Sequence, residues 1–287
     1  MKDMNMAPTG PLGQPLSGTA ADLGSLASQT LAASNAALIR GFPPDPDQYI
    51  AFLRTLGQPL DNYGAGSRNT AYALHPSINV VRCTAGPASA ARVQERGGPL
   101  PPHSARAFSA HRPRYIAMFM IDPGWPAPAG EAGESVIVRW TDALRHMLRA
   151  SPRTYDEDYA LLTQTPITIT AQHVTDQWAT TPLIYPLPDA SNGDDVGARY
   201  SLALTDQLPV MPMDNQLRER YAAAADRFAR AASDPSVRFT YPMRAGEIII
   251  LDNNRYGHGR LTFPRTRPGP GTTTEISPRE LWSVVIA

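Results

Sequence analysis

The chain has 287 residues, enough for one large β-rich domain or two small ones, and its 26 Lys+Arg and 26 Asp+Glu give a formal charge of zero. That balance removes the electrostatic reason to expect nucleic acid or an anionic membrane as partner. A single cysteine, Cys83, excludes an intrachain disulfide, no stretch approaches the ~18 apolar residues of a membrane span, and no basic-then-apolar leader opens the chain, so the expectation is a cytoplasmic protein.

Proline is the unusual component, at 29 residues. That is about twice the common share of about 5%, and it implies many turns and strand ends, since proline is excluded from helix interiors and central strands. Residues 1–36, rich in Gly, Ala, Ser, Thr and Pro, read as a flexible segment with a short helix somewhere within 21–37. A globular pattern starts with an apolar strand at 37–42. Asp47 can then cap a helix in which Tyr49, Ile50, Phe52, Leu53 and Leu56 recur at helical spacing, closed by Gly57.

Further strands are expected at 78–82, 115–121, 135–139, 167–171, 247–251 and 281–286, and helices at 141–149 and 216–232. The second helix carries Leu217, Tyr221, Ala225 and Phe228 on one face. Strands at intervals, with turn residues between them and two helical insertions, predict a mainly β fold, a jelly roll or cupin-like double-stranded β-helix. Residues 37–287 then form one domain, with lids expected at 123–133 and 173–232; Trp125 and Trp178 in these stretches are candidates for stacking on a substrate. Cys83, in the apolar run from Ile78, reads as a buried core thiol.

Of six histidines, two have informative surroundings. His103 follows Leu100-Pro101-Pro102 ahead of the 115–121 strand; His258 follows the most apolar strand of the chain, in Asp252-Asn253-Asn254-Arg255-Tyr256-Gly257-His258-Gly259-Arg260. A barrel gathers distant strand ends at one mouth, and neutral imidazoles there bind divalent transition metals.

Several pieces occur together and in order: Leu100-Pro101-Pro102-His103, Arg112-Pro113-Arg114-Tyr115, Gly133-Glu134-Ser135, Gly246-Glu247-Ile248-Ile249-Ile250-Leu251-Asp252-Asn253, His258-Gly259-Arg260, and Pro278-Arg279-Glu280-Leu281-Trp282. In these the chain resembles the 2-oxoglutarate-dependent dioxygenases of the clavaminate synthase and taurine dioxygenase group. The resemblance implies Fe(II), 2-oxoglutarate and O2 as cofactors. It makes His103 and His258 the iron ligands, Ser135 a hydrogen-bonding partner of the cosubstrate, and Arg279 the partner of its distal carboxylate, with Arg265 and Arg267 as rivals whose simpler reading is solvated loop charge. Asp252 and Asn253 read as turn-shaping residues that position His258, and Arg260 as a loop brace. The implied substrate is a small amino-acid-like molecule, free or carrier-bound.

One residue departs from that pattern. The usual site is two His and one Asp or Glu, and the resemblance places the carboxylate two residues after the first His, where this chain has Ala105. Three consequences stay open. The vacancy admits chloride, as in the radical halogenases of the superfamily, with Arg106 beside it to stabilise the anion. Alternatively, water or a carboxylate from elsewhere (Asp122, Glu131 or Glu134) fills it, and the enzyme hydroxylates, desaturates or cyclises. In the third, the domain is a cupin-like module that binds a ligand without turnover. No nucleophile elbow, P-loop, dinucleotide fingerprint or His-Glu-x-x-His motif offers a competing chemistry.

Overall fold

The computed structural model describes residues 10–61, 74–83, 93–110, 112–171, 174–188, 195–269 and 273–287. His111, His173 and the side chain of Trp178 lie outside them. The first part runs α1 (Ala20–Ser34), β1 (Ala36–Ile39), α2 (Pro46–Arg54), β2 (Asn79–Arg82) and β3 (Leu100–His103). It continues through β4 (Tyr115–Asp122), β5 (Ser135–Arg139), α3 (Trp140–Ala150), α4 (Tyr155–Gln164), β6 (Ile167–Ala171), β7 (Val174–Thr181), β8 (Ile184–Pro186) and β9 (Val196–Ala198). The last part comprises α5 (Leu204–Gln207), α6 (Asn215–Ser233), β10 (Phe239–Tyr241), β11 (Ile248–Asp252), β12 (Tyr256–Arg260), β13 (Thr266–Pro268), β14 (Thr274–Ile276) and β15 (Glu280–Ile286). No described helix is long and apolar enough to cross a membrane.

Two antiparallel sheets make the framework: β1-β11-β4-β15-β2 and β10-β5-β12-β3. Side chains alternate across a strand, so β4 serves two cores at once. Ile116, Met118 and Met120 point into an inter-sheet core shared with Ile137, Tyr241 and Tyr256 of the smaller sheet. Tyr115, Ala117 and Phe119 point outwards, under α1 and α2, with Tyr49, Phe52 and Leu53. Both faces are buried, and the strand's sequence therefore reads as a continuous apolar run without alternation. On the outer face of the smaller sheet, Val138 packs with Trp140, Leu144 and Met147 of α3, Leu162 of α4, and Tyr221 and Phe228 of α6. This is the double-stranded β-helix the sequence leads one to expect.

Three local expectations change. The short helix read within 21–37 is present as α1, capped at Thr19, but it is packed: its Leu23, Ala27 and Leu31 are buried under the larger sheet. Few large apolar residues suffice there because they recur four apart on one face. Helix α2 is capped by Asp45, whose Oδ1 accepts from the Gln48 amide at 2.8 Å; Pro46 takes the first helical position, and Asp47 sits in the first turn, where its charge suits the helix dipole. The stretch read as a 173–232 lid contributes Leu183, Ile184, Val196, Ala198, Leu204 and Tyr221 to a packed core.

Because Leu31 is 2% exposed, Leu31→Ala should cost about 2–5 kcal/mol, read as a lower midpoint in thermal or denaturant unfolding. An unchanged midpoint would return α1 to the status of a loose appendage.

Candidate active site

The two histidines lie on directly paired strands: His103 is the last residue of β3, and His258 is in the middle of β12 and not at its end. His103 of β3 is the register partner of His258 of β12, and their ring centroids are 4.4 Å apart. Both strands escape a propensity reading because β3 carries Pro101 and Pro102, and β12 carries Gly257 and Gly259. The prolines are tolerated because β3 is an edge strand, and the register slips by one residue between the His258 and Arg260 pairings. The glycines are required by close approach. A Cβ on Gly257 would overlap the Trp140 ring, and one on Gly259 the Leu100 carbonyl oxygen.

Pairing and alternation then set which side chains face inwards. His258 lies opposite both His103 and Ile137, and Arg260 lies opposite Ser135. Since Ile137 belongs to the inter-sheet core, His103, His258, Ser135 and Arg260 share the interior face of the smaller sheet.

His103 Nδ1 is 3.0 Å from the Pro101 carbonyl oxygen, which only accepts, so that nitrogen carries the proton and Nε2 keeps its lone pair. His258 is buried, and its Nδ1 has no hydrogen-bond partner. Burial lowers the His103 imidazole from its ordinary range, against the opposing pull of the Pro101 and His258 backbone. Burial and the His103 ring hold His258 well below that range. Two neutral imidazoles with available lone pairs fit a divalent transition metal. Among the described residues, no group of three His, Cys, Asp or Glu comes together as a metal site.

Ala105 follows His103 by two residues, and its peptide is fixed from both sides. The Asn253 side chain accepts from the Ala105 amide at 2.8 Å and donates to its carbonyl at 3.0 Å. It also donates to Pro113 O at 3.2 Å, so Asn253 shapes the segment after His103 as well as its own turn. Ser104 points elsewhere, donating to Ala198 O at 2.8 Å. The alternative carboxylates are engaged in turns: Asp122 accepts from the Gly124 amide at 2.7 Å, and Glu134 from the Gly130 and Ala132 amides at 2.6 and 3.2 Å. Glu131 is exposed. Arg106 adopts a left-handed backbone (φ 50°) and its guanidinium donates to the Asp61 carbonyl.

At the far end of β12, two buried positive charges gather. Arg279, 4% exposed, donates to Gly133 O at 3.2 Å and leaves its Nε buried and unpartnered. Arg260 braces a loop as expected, donating to the carbonyls of Gln94, Arg96 and Gly98. Both guanidiniums lie over the Phe263 ring. Burial pulls Arg279 down to about 10, while burial and the Arg279 charge pull Arg260 down to about 9. No described carboxylate offsets them: the opposing influence on both is Cys83. Buried cations without a counter-ion are costly, and an unpartnered N–H on one of them fits an anionic ligand such as a dicarboxylate. Cys83 is half-buried rather than a full core thiol, and its pKa is raised by burial, against Arg265, Arg260 and Arg279. Arg265 is thus close to this arginine cluster. Arg267 is on the surface, paired with Glu275 at 2.7 Å and stacked on Trp125.

One organising residue has no sequence signature. Asp195 accepts from Arg139 at 2.6 and 2.7 Å, from Arg255 at 2.6 Å and from Thr141 at 3.0 Å, tying the end of β5 and the start of α3 to the turn before β12. Burial raises its pKa, but the Arg139 and Thr141 hydrogen bonds and both arginine charges outweigh it and leave the pKa lowered.

Paired neutral imidazoles near buried arginines without a counter-ion, inside a jelly roll, are the equipment of iron- and 2-oxoglutarate-dependent oxygenases. The chain belongs to the TauD/TfdA family of taurine catabolism dioxygenases, whose profile matches residues 7–282. No curated protein sequence matches it significantly. Among solved structures, it is similar to asparagine oxygenase in complex with Fe(II), 3-hydroxyasparagine and succinate (TM-score 0.60, 18% identity, 93% of this chain and 78% of that one). It is also similar to the non-haem iron oxygenase OrfP with iron and α-ketoglutaric acid (0.57, 17%, 93% and 79%) and to a taurine dioxygenase from Burkholderia xenovorans (0.55, 14%, 92% and 81%). At these identities the likeness is one of fold.

Since Gly259 lets β12 lie against Leu100, Gly259→Ala should push β3 away and separate the two imidazoles. We expect a loss of about 1–3 kcal/mol and metal affinity at least about tenfold weaker, read by titration with Co(II) or Fe(II). Gly98→Ala, where a Cβ meets nothing within 4 Å, should change neither.

Proposed function

We propose that this oxygenase acts on an unactivated C–H bond of a small amino-acid-like substrate, with a metal centre of two histidines and a ligand position left open at Ala105. The observation that carries this reading is the alanine itself. Two residues after His103, with its peptide held by Asn253, it supplies no donor, and no third His, Cys, Asp or Glu joins the pair among the described residues.

In this reading His103 and His258 hold iron through neutral imidazole nitrogens, and Arg279 and Ser135 hold 2-oxoglutarate. Arg279 suits its role because the planar guanidinium matches a carboxylate with two parallel hydrogen bonds. Ser135, buried on the same interior face, supplies a hydroxyl. With O2, the iron and 2-oxoglutarate pair supplies the oxidant for hydrogen-atom removal, the cosubstrate leaving as succinate and CO2. The residues around it keep the site dry and oriented: Leu100 and Gly259 close β3 on β12, and the uncompensated arginine charge favours entry of the dianion.

The open position takes an exogenous anion, chloride, and the reaction is then radical halogenation. Arg106 contributes charge nearby, although its donor is shared with the Asp61 carbonyl. Hydroxylation is the competing outcome, with water in the open position. It is supported by the structures of asparagine oxygenase with a hydroxylated amino acid and of OrfP with hydroxyarginine.

The test incubates the anaerobically purified chain with iron(II), 2-oxoglutarate, O2 and the proteinogenic amino acids, with and without chloride. Succinate formation is expected in an amino-acid-dependent manner, and a chlorinated product when chloride is present; hydroxylated product alone under both conditions would overturn the open-site reading. Ala105→Asp restores a carboxylate and should move the product towards hydroxylation by about tenfold or more, the scale on which a single charged ligand acts. An unchanged product ratio in that variant would remove Ala105 from the metal's surroundings.

A further inference from the structure

Beyond Ala105, at the opposite end of β12 from Arg279, lies a second group of positive charge that the oxygenase reading does not use. A small cleft there is lined by Ala105, Arg106, Arg112, Tyr185, Arg199 and Asn254, among others. Arg112 lays its guanidinium face on the Tyr185 ring, 3.4 Å from the centroid. The guanidinium also hydrogen-bonds the Tyr185 side chain, and no described carboxylate pairs with it. Tyr185 is itself held by a hydrogen bond from its hydroxyl to Asn254 Oδ1 at 2.9 Å.

Arg199, just after β9, is 6% exposed. Its Nη1 donates to Ser109 O at 2.9 Å and its Nη2 to Ala110 O at 3.4 Å, while its Nε is buried with no partner. Burial and the neighbouring Arg112 charge pull its pKa down to about 10, and Tyr185 is the opposing influence. The carboxylate close by, Asp252, is already committed: its Oδ1 accepts from the Asn254 and Arg255 amides, and its Oδ2 lies 3.7 Å from Arg255 Nε. Two like charges in one cleft, one of them buried with an idle donor, repel each other and bear a desolvation penalty unless an anion joins them.

The placement assigns the anion. β12 spans four residue steps from Tyr256 to Arg260, and His258 is its midpoint. At about 3.3 Å per residue, this puts the Arg279–Arg260 cluster and the turn at Asn254 on opposite sides of the histidine pair. One end suits the cosubstrate's carboxylate, leaving the other for a different one.

We propose that Arg112 and Arg199 form the receptor for the free α-carboxylate of the amino-acid substrate, with Tyr185 holding the Arg112 guanidinium in place. This deepens the functional reading above and rests on its amino-acid-like substrate. It selects the free amino acid over a carrier-bound one, because a thioester or amide has no negative charge to place between two guanidiniums. A carboxylate there accepts hydrogen bonds from the Arg112 edge and Arg199 Nε, and sits next to Ala105.

The test is direct binding, measured as ligand-induced shifts in melting temperature. The full chain is titrated with each of the twenty proteinogenic L-amino acids and with their α-carboxamides, in the presence of iron(II) and 2-oxoglutarate without oxygen. At least one free acid should give a saturable shift, with its carboxamide binding about tenfold or more weakly. Arg112→Gln should lose that preference and weaken the free acid to the level of its amide, while keeping the unliganded melting temperature and the 2-oxoglutarate affinity. Arg112→Lys should recover part of the affinity, since charge returns without the planar fork. Because Arg199 also braces Ser109 and Ala110, Arg199→Lys serves at that position.

Equal binding of acid and amide, wild-type affinity in Arg112→Gln, or a shift from no free acid at all would overturn the proposal. The two readings fail separately. Amino-acid-dependent succinate formation without carboxylate preference removes this receptor and leaves the oxygenase. Carboxylate-selective binding without succinate under any condition does the reverse.

Discussion

The site depends on the antiparallel pairing of β3 with β12, which sets His103 directly opposite His258. Cross-strand partners are the closest side-chain neighbours a sheet offers. Ring centroids 4.4 Å apart thus come from backbone register and need no long loop to deliver a ligand. That register rests in turn on residues poor at forming strands. Two prolines are acceptable on an edge strand, and two glycines are needed where β12 presses against Trp140 and Leu100. The histidine pair is built where ordinary strand propensity is weakest.

The second constraint is buried positive charge. Arg260 and Arg279 lie together at one end of β12, and Arg112 and Arg199 at the other, with no described carboxylate paired to any of them. Elsewhere, arginines are matched: the buried Arg255 and the more exposed Arg139 share Asp195, and the partly buried Arg227 binds the buried Asp158. The contrast separates arginines neutralised by a carboxylate of the fold from arginines with no described carboxylate beside them. Desolvation without compensation destabilises the empty protein, and the same unneutralised charge favours entry of an anion.

Much of the framework was legible in the sequence. The strands at 115–121, 135–139, 247–251 and 281–286 correspond to β4, β5, β11 and β15, because continuous apolar runs rich in Ile, Val and Met are what doubly buried strands require. The helices at 141–149 and 216–232 lie within α3 and α6, since their apolar residues recur at helical spacing. The strands bearing the histidines were not legible as strands, nor was the packed character of α1, whose few apolar residues matter only once a sheet lies beneath them. Arg199 and Asp195 had no visible role either, as their partners at Ser109, Arg139 and Arg255 are remote in sequence and converge only through the fold.

By itself the sequence determined the chemistry on offer: two histidines in a recognisable order of motifs, an alanine where a carboxylate is usual, and an arginine opening the last apolar strand. Those are properties of residue identity and spacing, which survive without coordinates. The tertiary structure decided which of these residues meet. It put His103 against His258 by strand register, turned Asp122 and Glu134 into loop caps, tied Arg267 to Glu275 on the surface, and left Arg279, Arg112 and Arg199 without acidic partners among the described residues. Those outcomes depend on long-range pairing and on desolvation, and neither is encoded in any short stretch of chain.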